Sequence, residues 1–233
     1  MRRFLFVLAA IAPASALAGD YAERNFIGFS PDGAYIAFVE YGVQDGSGFP
    51  YANAYVIATA TDSWVKDTPV RVLLEDESAT LSAAYAEAVN GIRPLIDQHA
   101  IATPPVVVAS NPFTEISADP HVVGFLTRMP VPPDATDAYT LALTEIALPA
   151  ANCPDMGTPF QGFRLVLTGP NGAVGILNDD KQIPASRRCP LGYRISDVLL
   201  DPSRAVMAVL IDVTSVGFEG PDRRFLAVTA RIE

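Results

Sequence analysis

Four carboxylates fall in two loops of similar make-up. Glu40 and Asp45 belong to residues 40–51, which carry the pair Gly48-Phe49. Glu219 and Asp222 belong to residues 216–224, which carry Gly217-Phe218. If the loops meet in space, their carboxylates can hold a cation or a sugar, with Phe49 and Phe218 as an apolar surface. Two carboxylates about 5–10 Å apart can also serve as the acid and base, or acid and nucleophile, of a hydrolase. The plainer expectation is a pair of exposed hairpin connections, with Phe49 and Phe218 folded inward. Both loops exceed the two residues a hairpin needs, and long loops more often carry function. They are therefore the candidate binding surface.

Other chemistry has weaker support. Gln44-Asp45-Gly46-Ser47-Gly48 lacks the alternating acidic positions of a calcium loop. Gly46-Ser47-Gly48 is not the Gly-x-Ser-x-Gly of a nucleophile elbow. The only histidines are His99 and His121, far apart and without metal-ligand spacing. A Ser-His-Asp set would have to be assembled entirely by the fold. Gly169-Pro170-Asn171-Gly172 reads as a hairpin turn rather than a phosphate cradle, since no helix follows it. Asp179-Asp180-Lys181 reads as a solvated loop, and Arg223-Arg224 as local partners of Asp222. No cofactor fingerprint occurs, so neither cofactor nor metal is expected.

The chain opens with Arg2-Arg3, an apolar run over residues 4–12, and Ala16-Leu17-Ala18. That order marks a secretory signal peptide over residues 1–18, and the apolar run is too short to span a bilayer. Cleavage after Ala18 leaves 215 residues with 14 basic and 26 acidic side chains, a formal charge of −12. No later stretch is apolar enough for a membrane span. Cys153 and Cys189, an even pair in an exported chain, are expected to form a disulfide.

The elements that must position these loops read mostly as strands. Runs rich in Val, Ile, Phe and Tyr cover residues 35–39, 54–58, 70–74, 121–128, 139–148, 163–168, 173–178, 206–212 and 224–231. Gly, Pro, Asn and Asp separate them. Residues 102–112, with three prolines, are expected to be extended, and Pro130, Pro132 and Pro133 mark a turn before Asp134. One segment differs. Leu81, Tyr85 and Val89 are spaced four apart within residues 77–90, which predicts a helix with Ser78 as its cap and Gly91 as its end. Pro94 should break any continuation, with residues 95–99 as a further turn. The expected fold is a single mainly β domain over residues 19–233. Its antiparallel sheets form propeller-like blades or a two-sheet sandwich, with one helical insert near 77–99. Residues 31–60 and 202–230 echo each other as proline turn, strand, Gly-Phe loop and strand.

Residues 29–38, Phe-Ser-Pro-Asp-Gly-Ala-Tyr-Ile-Ala-Phe, resemble the repeat of TolB-like β-propellers over about one blade. A wider resemblance joins three segments. They are residues 40–51, residues 188–193 (Arg-Cys-Pro-Leu-Gly-Tyr), and residues 217–225 (Gly-Phe-Glu-Gly-Pro-Asp-Arg-Arg-Phe). Together they look like the signatures of a bacterial family of predicted secreted proteins of unknown function. The resemblance implies export in a Gram-negative cell and carries over no activity.

The full chain holds 16 basic and 26 acidic residues, a formal charge of −10. A surface that acidic offers no footprint for a phosphate backbone, so nucleic acid is not an expected partner. The sequence therefore points to a periplasmic or secreted protein with a non-enzymatic binding or accessory role, and with an envelope protein as the expected partner. The rival reading is a periplasmic hydrolase built from the loop carboxylates. Nothing in the sequence sets the oligomeric state.

Overall fold

The computed structural model describes residues 19–131, 138–150 and 153–232. The leader expected over residues 1–18, and Pro132, Pro133 and Asp134 of the expected turn, lie outside them. Among the described residues, the chain is mainly β, with antiparallel sheets and one α-helix.

The first sheet contains β1 (Glu23–Phe29), β2 (Tyr35–Val43), β3 (Pro50–Ala58), β4 (Ser63–Trp64) and β5 (Val70–Leu73). Its order is β1-β2-β3, and both β4 and β5 pair with β3. Helix α1 (Leu81–Gln98) follows, then β6 (Val106–Ser110). The strands β7 (Val122–Leu126), β8 (Ala138–Leu148), β9 (Phe160–Thr168) and β10 (Val174–Asp179) make the second sheet. The third runs β13-β12-β11-β6, using β11 (Pro190–Leu200), β12 (Val206–Val216) and β13 (Pro221–Arg231).

The three sheets stack, and β12 shows how. Its period of two sends Val206, Ala208 and Leu210 into a core shared with the first sheet. Met207, Val209, Ile211 and Val213 enter a separate core shared with the second sheet. The third sheet is thus the middle layer, apolar on both faces, which explains the unbroken apolar run of β12. The stack is open, without a closed barrel. On the far face of the first sheet, Ala37, Val39, Ala54 and Val56 pack under α1.

The helix departs from its expected limits. Thr80, not Ser78, is the cap, its Oγ1 accepting the Ala83 N–H at 3.2 Å. Ser78 instead donates to Asp76. Gly91 lies inside the helix because the sheet comes close there. A Cβ on Gly91 would sit 2.7 Å from Val70 Cγ1. Pro94 is also interior, and the helix continues to Gln98. The buried stripe is Ala84, Ala88, Ile92 and Ile96, with Tyr85 and Val89 flanking it.

Three further expectations change. Residues 102–112 contain a true strand, β6, paired with β11. Asp180 is not solvated: it is bonded by Arg187 and accepts the Phe163 N–H at 2.8 Å. Arg223 lies 3.8 Å from Asp212 on the neighbouring strand β12, and Arg224 pairs with the distant Asp20, so neither forms its ion pair with Asp222. The turn at residues 169–172 closes the β9–β10 hairpin as expected, with Gly172 N donating to Gly169 O at 3.0 Å.

Cys153 and Cys189 are bonded, with Cα atoms 5.6 Å apart and a sequence separation of 36. The bond ties the segment before β9 to the start of β11. Closing a loop of that length removes unfolded-chain entropy worth about 4 kcal/mol. Reducing it should lower the unfolding free energy by that amount, measured by urea titration with and without reductant. An unchanged midpoint would show that the bridge constrains nothing.

Candidate functional site

The echoing segments are two hairpins packed side by side in the same direction. Ser30-Pro31-Asp32-Gly33 leads into β2–β3, and Asp201-Pro202-Ser203-Arg204 leads into β12–β13. Gly33 has φ +70° and Arg204 has φ +62°, so each turn closes through a left-handed residue two places after its proline. The entry turns touch: a Cβ on Gly33 would lie 3.2 Å from Val206 Cγ2. Between the hairpins, Ile36, Phe38 and Tyr55 pack on Val206, Ala208 and Phe225. With entry turns together at one end, the connecting loops 44–49 and 217–220 come together at the other.

They meet at Gly46. A Cβ there would stand 3.0 Å from the Phe218 ring, so Phe218 lies across the bare glycine backbone. Phe218 is 80% exposed, not folded inward, while Phe49 is half-buried. Loop 44–49 is braced internally. Gln44 N donates to Phe49 O at 2.9 Å, and Ser47 Oγ donates to Gln44 Oε1 at 3.1 Å.

An open recess of about 480 Å³ lies between the loops, lined by Asp20, Asp45, Ser47, Arg188, Phe218 and Asp222. Asp45 is half-buried, and its Oδ2 is out of solvent without a hydrogen-bond partner. Asp222 lies 3.6 Å from Arg188, and burial pushes its carboxyl above the ordinary range. Glu219 is exposed at the loop tip, outside the recess lining.

Glu40 has a different place and a different task. Alternation along β2 turns Ile36, Phe38 and Glu40 toward the third sheet. Glu40 is 1% exposed, so it is no loop residue. Its Oε1 accepts Tyr55 OH at 2.7 Å and Asn53 Nδ2 at 2.8 Å, and its Oε2 accepts Phe225 N at 2.7 Å. Burial raises its carboxyl above the ordinary range, partly offset by those three donors and by Arg224.

Asp20 and Arg188 also line the recess, although sequence reasoning did not count either as a site residue. Asp20 is buried beside β13, where Tyr51 OH donates to it at 2.7 Å and Arg224 is its ion pair. Its backbone carbonyl accepts Arg223 N at 2.8 Å. Arg224 is 204 positions from Asp20 and Tyr51 is 31, so no local pattern announces them. Arg188 is carried to the recess by the disulfide-linked turn before β11.

Chemically, the recess offers recognition groups. Among the described residues, no group of three or more His, Cys, Asp or Glu is placed to hold a metal ion. His99 stacks on Tyr35 with ring centroids 3.8 Å apart, and His121 Nε2 lies 2.9 Å from Tyr193 O, so neither histidine lines the recess. Among the described residues, no helix is long and apolar enough to cross a membrane.

These features define a disulfide-bonded, mainly β protein of stacked antiparallel sheets, with two long hairpin loops sharing one surface recess. The chain belongs to the family described as predicted secreted protein (DUF2259), whose model matches residues 37–231. The match covers both loops and the disulfide turn, and the description fits a periplasmic or secreted protein. A comparison with curated proteins finds no match.

Proposed function

We propose that this secreted protein is a non-enzymatic binding or accessory protein of the cell envelope, and that it captures an envelope protein through the recess between loops 44–49 and 217–220. One observation carries the reading. Phe218, 80% exposed over Gly46, stands beside Asp45 with its unpartnered buried Oδ2. An exposed aromatic anchor next to polar groups awaiting partners is the make-up of a protein-binding hot spot. The hydrolase reading has less support. Of the recess carboxylates, Asp20 is tied to Arg224 and Asp222 lies close to Arg188.

The test is crosslinking capture from periplasmic extract, read by mass spectrometry. Asp45→Ala with Glu219→Ala, and separately Phe218→Ser, should each cut the yield of the captured partner about tenfold, the scale of one hot-spot contact. Melting temperature should stay nearly unchanged. Undiminished capture would overturn the reading, and a large loss of stability would mark the residues as structural.

A further inference from the structure

A second, more enclosed space lies deeper between the same two hairpins. The third sheet ends at β13, but the first sheet continues through β3 to β4 and β5. Past β13, the third sheet leaves part of the inner face of β3 uncovered. Asn178 at the end of β10, and Pro184, Ser186, Arg187 and Arg188 in the segment that follows, roof that gap. They leave a cavity of about 220 Å³ floored by Phe38, Tyr55 and Ile57.

The cavity's charge runs against that of the chain. In a protein of formal charge −10, four arginines line it, Arg71, Arg187, Arg188 and Arg224, against two carboxylates, Glu40 and Asp62. Pairing sharpens the contrast. Glu40 is taken by its three donors, and Asp62 Oδ1 accepts both Thr229 N and Thr229 Oγ1. Arg187 is bound to Asp180 and Arg224 to Asp20, while Arg188 lies 3.6 Å from Asp222. Arg71 has no ion pair among the described residues; its guanidinium rests 5.5 Å from the Trp64 ring at the cavity's edge.

The β13 backbone adds a donor. The N–H groups of Arg223, Phe225 and Thr229 point away from β12, to Asp20 O, Glu40 Oε2 and Asp62 Oδ1. The pairing of β12 with β13 has no register shift. The same alternation therefore aims the Ala227 N–H outward, and Ala227 lines the cavity.

We propose that this cavity binds a small organic acid with a flat apolar body. The carboxylate pairs with the free Arg71 guanidinium, and the ring lies against Trp64, Tyr55 and Ile57. The volume equals about seven water molecules, enough for an acid of single-ring size and too small for a nucleotide or an oligosaccharide. The chemistry is shared by a free aromatic acid and by the C-terminal carboxylate of a peptide ending in an aromatic residue.

Trp64 is the chain's only tryptophan, so its fluorescence reports on this site. Purified mature protein is titrated at low salt with benzoate, phenylacetate, neutral benzamide and N-acetyl-alanyl-phenylalanine. The acids should give a saturable change, with benzamide at least tenfold weaker, as expected when a charge-assisted hydrogen bond is lost. Binding of the dipeptide as well as the free acids assigns both sources; binding of only one kind assigns that source. Arg71→Gln, a substitution at an exposed residue, should weaken acid binding at least tenfold at unchanged melting temperature. No saturable response to any acid up to about 10 mM, equal binding of benzamide, or wild-type affinity in Arg71→Gln would each overturn the proposal. Asp45→Ala with Glu219→Ala should leave acid binding intact, so failure of partner capture and failure of this site are separately visible.

Discussion

Replacing Glu40 by alanine is expected to remove about 4–6 kcal/mol of folding stability, a large share of the roughly 5–15 kcal/mol margin of an ordinary domain. The side chain is the joint between two sheets. Its carboxylate takes Tyr55 OH and Asn53 Nδ2 from the first sheet and Phe225 N from the edge of the third. Truncation orphans three donors in a site that is 1% exposed, and each buried donor left without an acceptor costs about 1–3 kcal/mol. Lost packing against Phe225 adds to this. Urea unfolding read by circular dichroism measures the difference. A loss below about 1 kcal/mol would mean that water replaces the carboxylate without difficulty.

Glu40→Gln keeps the shape and provides a pH signature. Burial raises the Glu40 carboxyl in the folded protein, so the folded state binds a proton more readily than the unfolded chain does. The contribution of this group is therefore full below the unfolded value of about 4.3 and is lost as pH rises through the folded value. Glutamine does not titrate. The stability advantage of wild type over Glu40→Gln should be wider at pH 4 than at pH 7, and a gap that widened with rising pH would reverse the assignment.

Glu40 also shows what the sequence discloses and what it hides. Its run of glycines and carboxylates was legible as a long loop, and loops 44–49 and 217–220 do meet. The period of two that turns Glu40 inward was equally present, since Ile36, Phe38 and Glu40 share a parity. A charged residue at the end of an apolar alternation reads as the loop's first residue unless its partners are known, and one of them, Phe225 N, is 185 positions away. Strand β12 was legible because both of its faces are apolar. Strand β11, its neighbour in the middle sheet, was not. Gly192, Ser196 and Asp197 interrupt its pattern, and register shifts occur at residues 190/192 and 195/197. The helix was legible by spacing, but its limits were not, because Gly91 answers to Val70 of another element rather than to its own chain end.

The residue that disguised β11 supports the second large prediction. Asp197→Ala should cost about 3–5 kcal/mol, the scale of breaking one side of a buried ion pair. Asp197 is 2% exposed at the centre of the stack. Arg24 of β1 reaches it with Nε at 2.5 Å and Nη2 at 2.8 Å, a two-pronged contact. Ser110 of β6 donates to Oδ1 at 2.8 Å and Ser196 donates to Oδ2 at 2.7 Å. The Arg24 guanidinium also lies 5.5 Å from the Phe225 ring, beside the strand that Glu40 holds. One carboxylate thus fastens the first sheet to two strands of the third, next to the Glu40 joint, since Arg24 on β1 is the register partner of Glu40 on β2. Removing Asp197 strands a cation whose side chain is only 20% exposed. The double variant Arg24→Met with Asp197→Leu removes both charges and substitutes apolar contact, so it should lose clearly less than the sum of Arg24→Met and Asp197→Leu made singly. Strict additivity in that cycle would show that the two side chains act independently and that their ion pair does not couple the sheets.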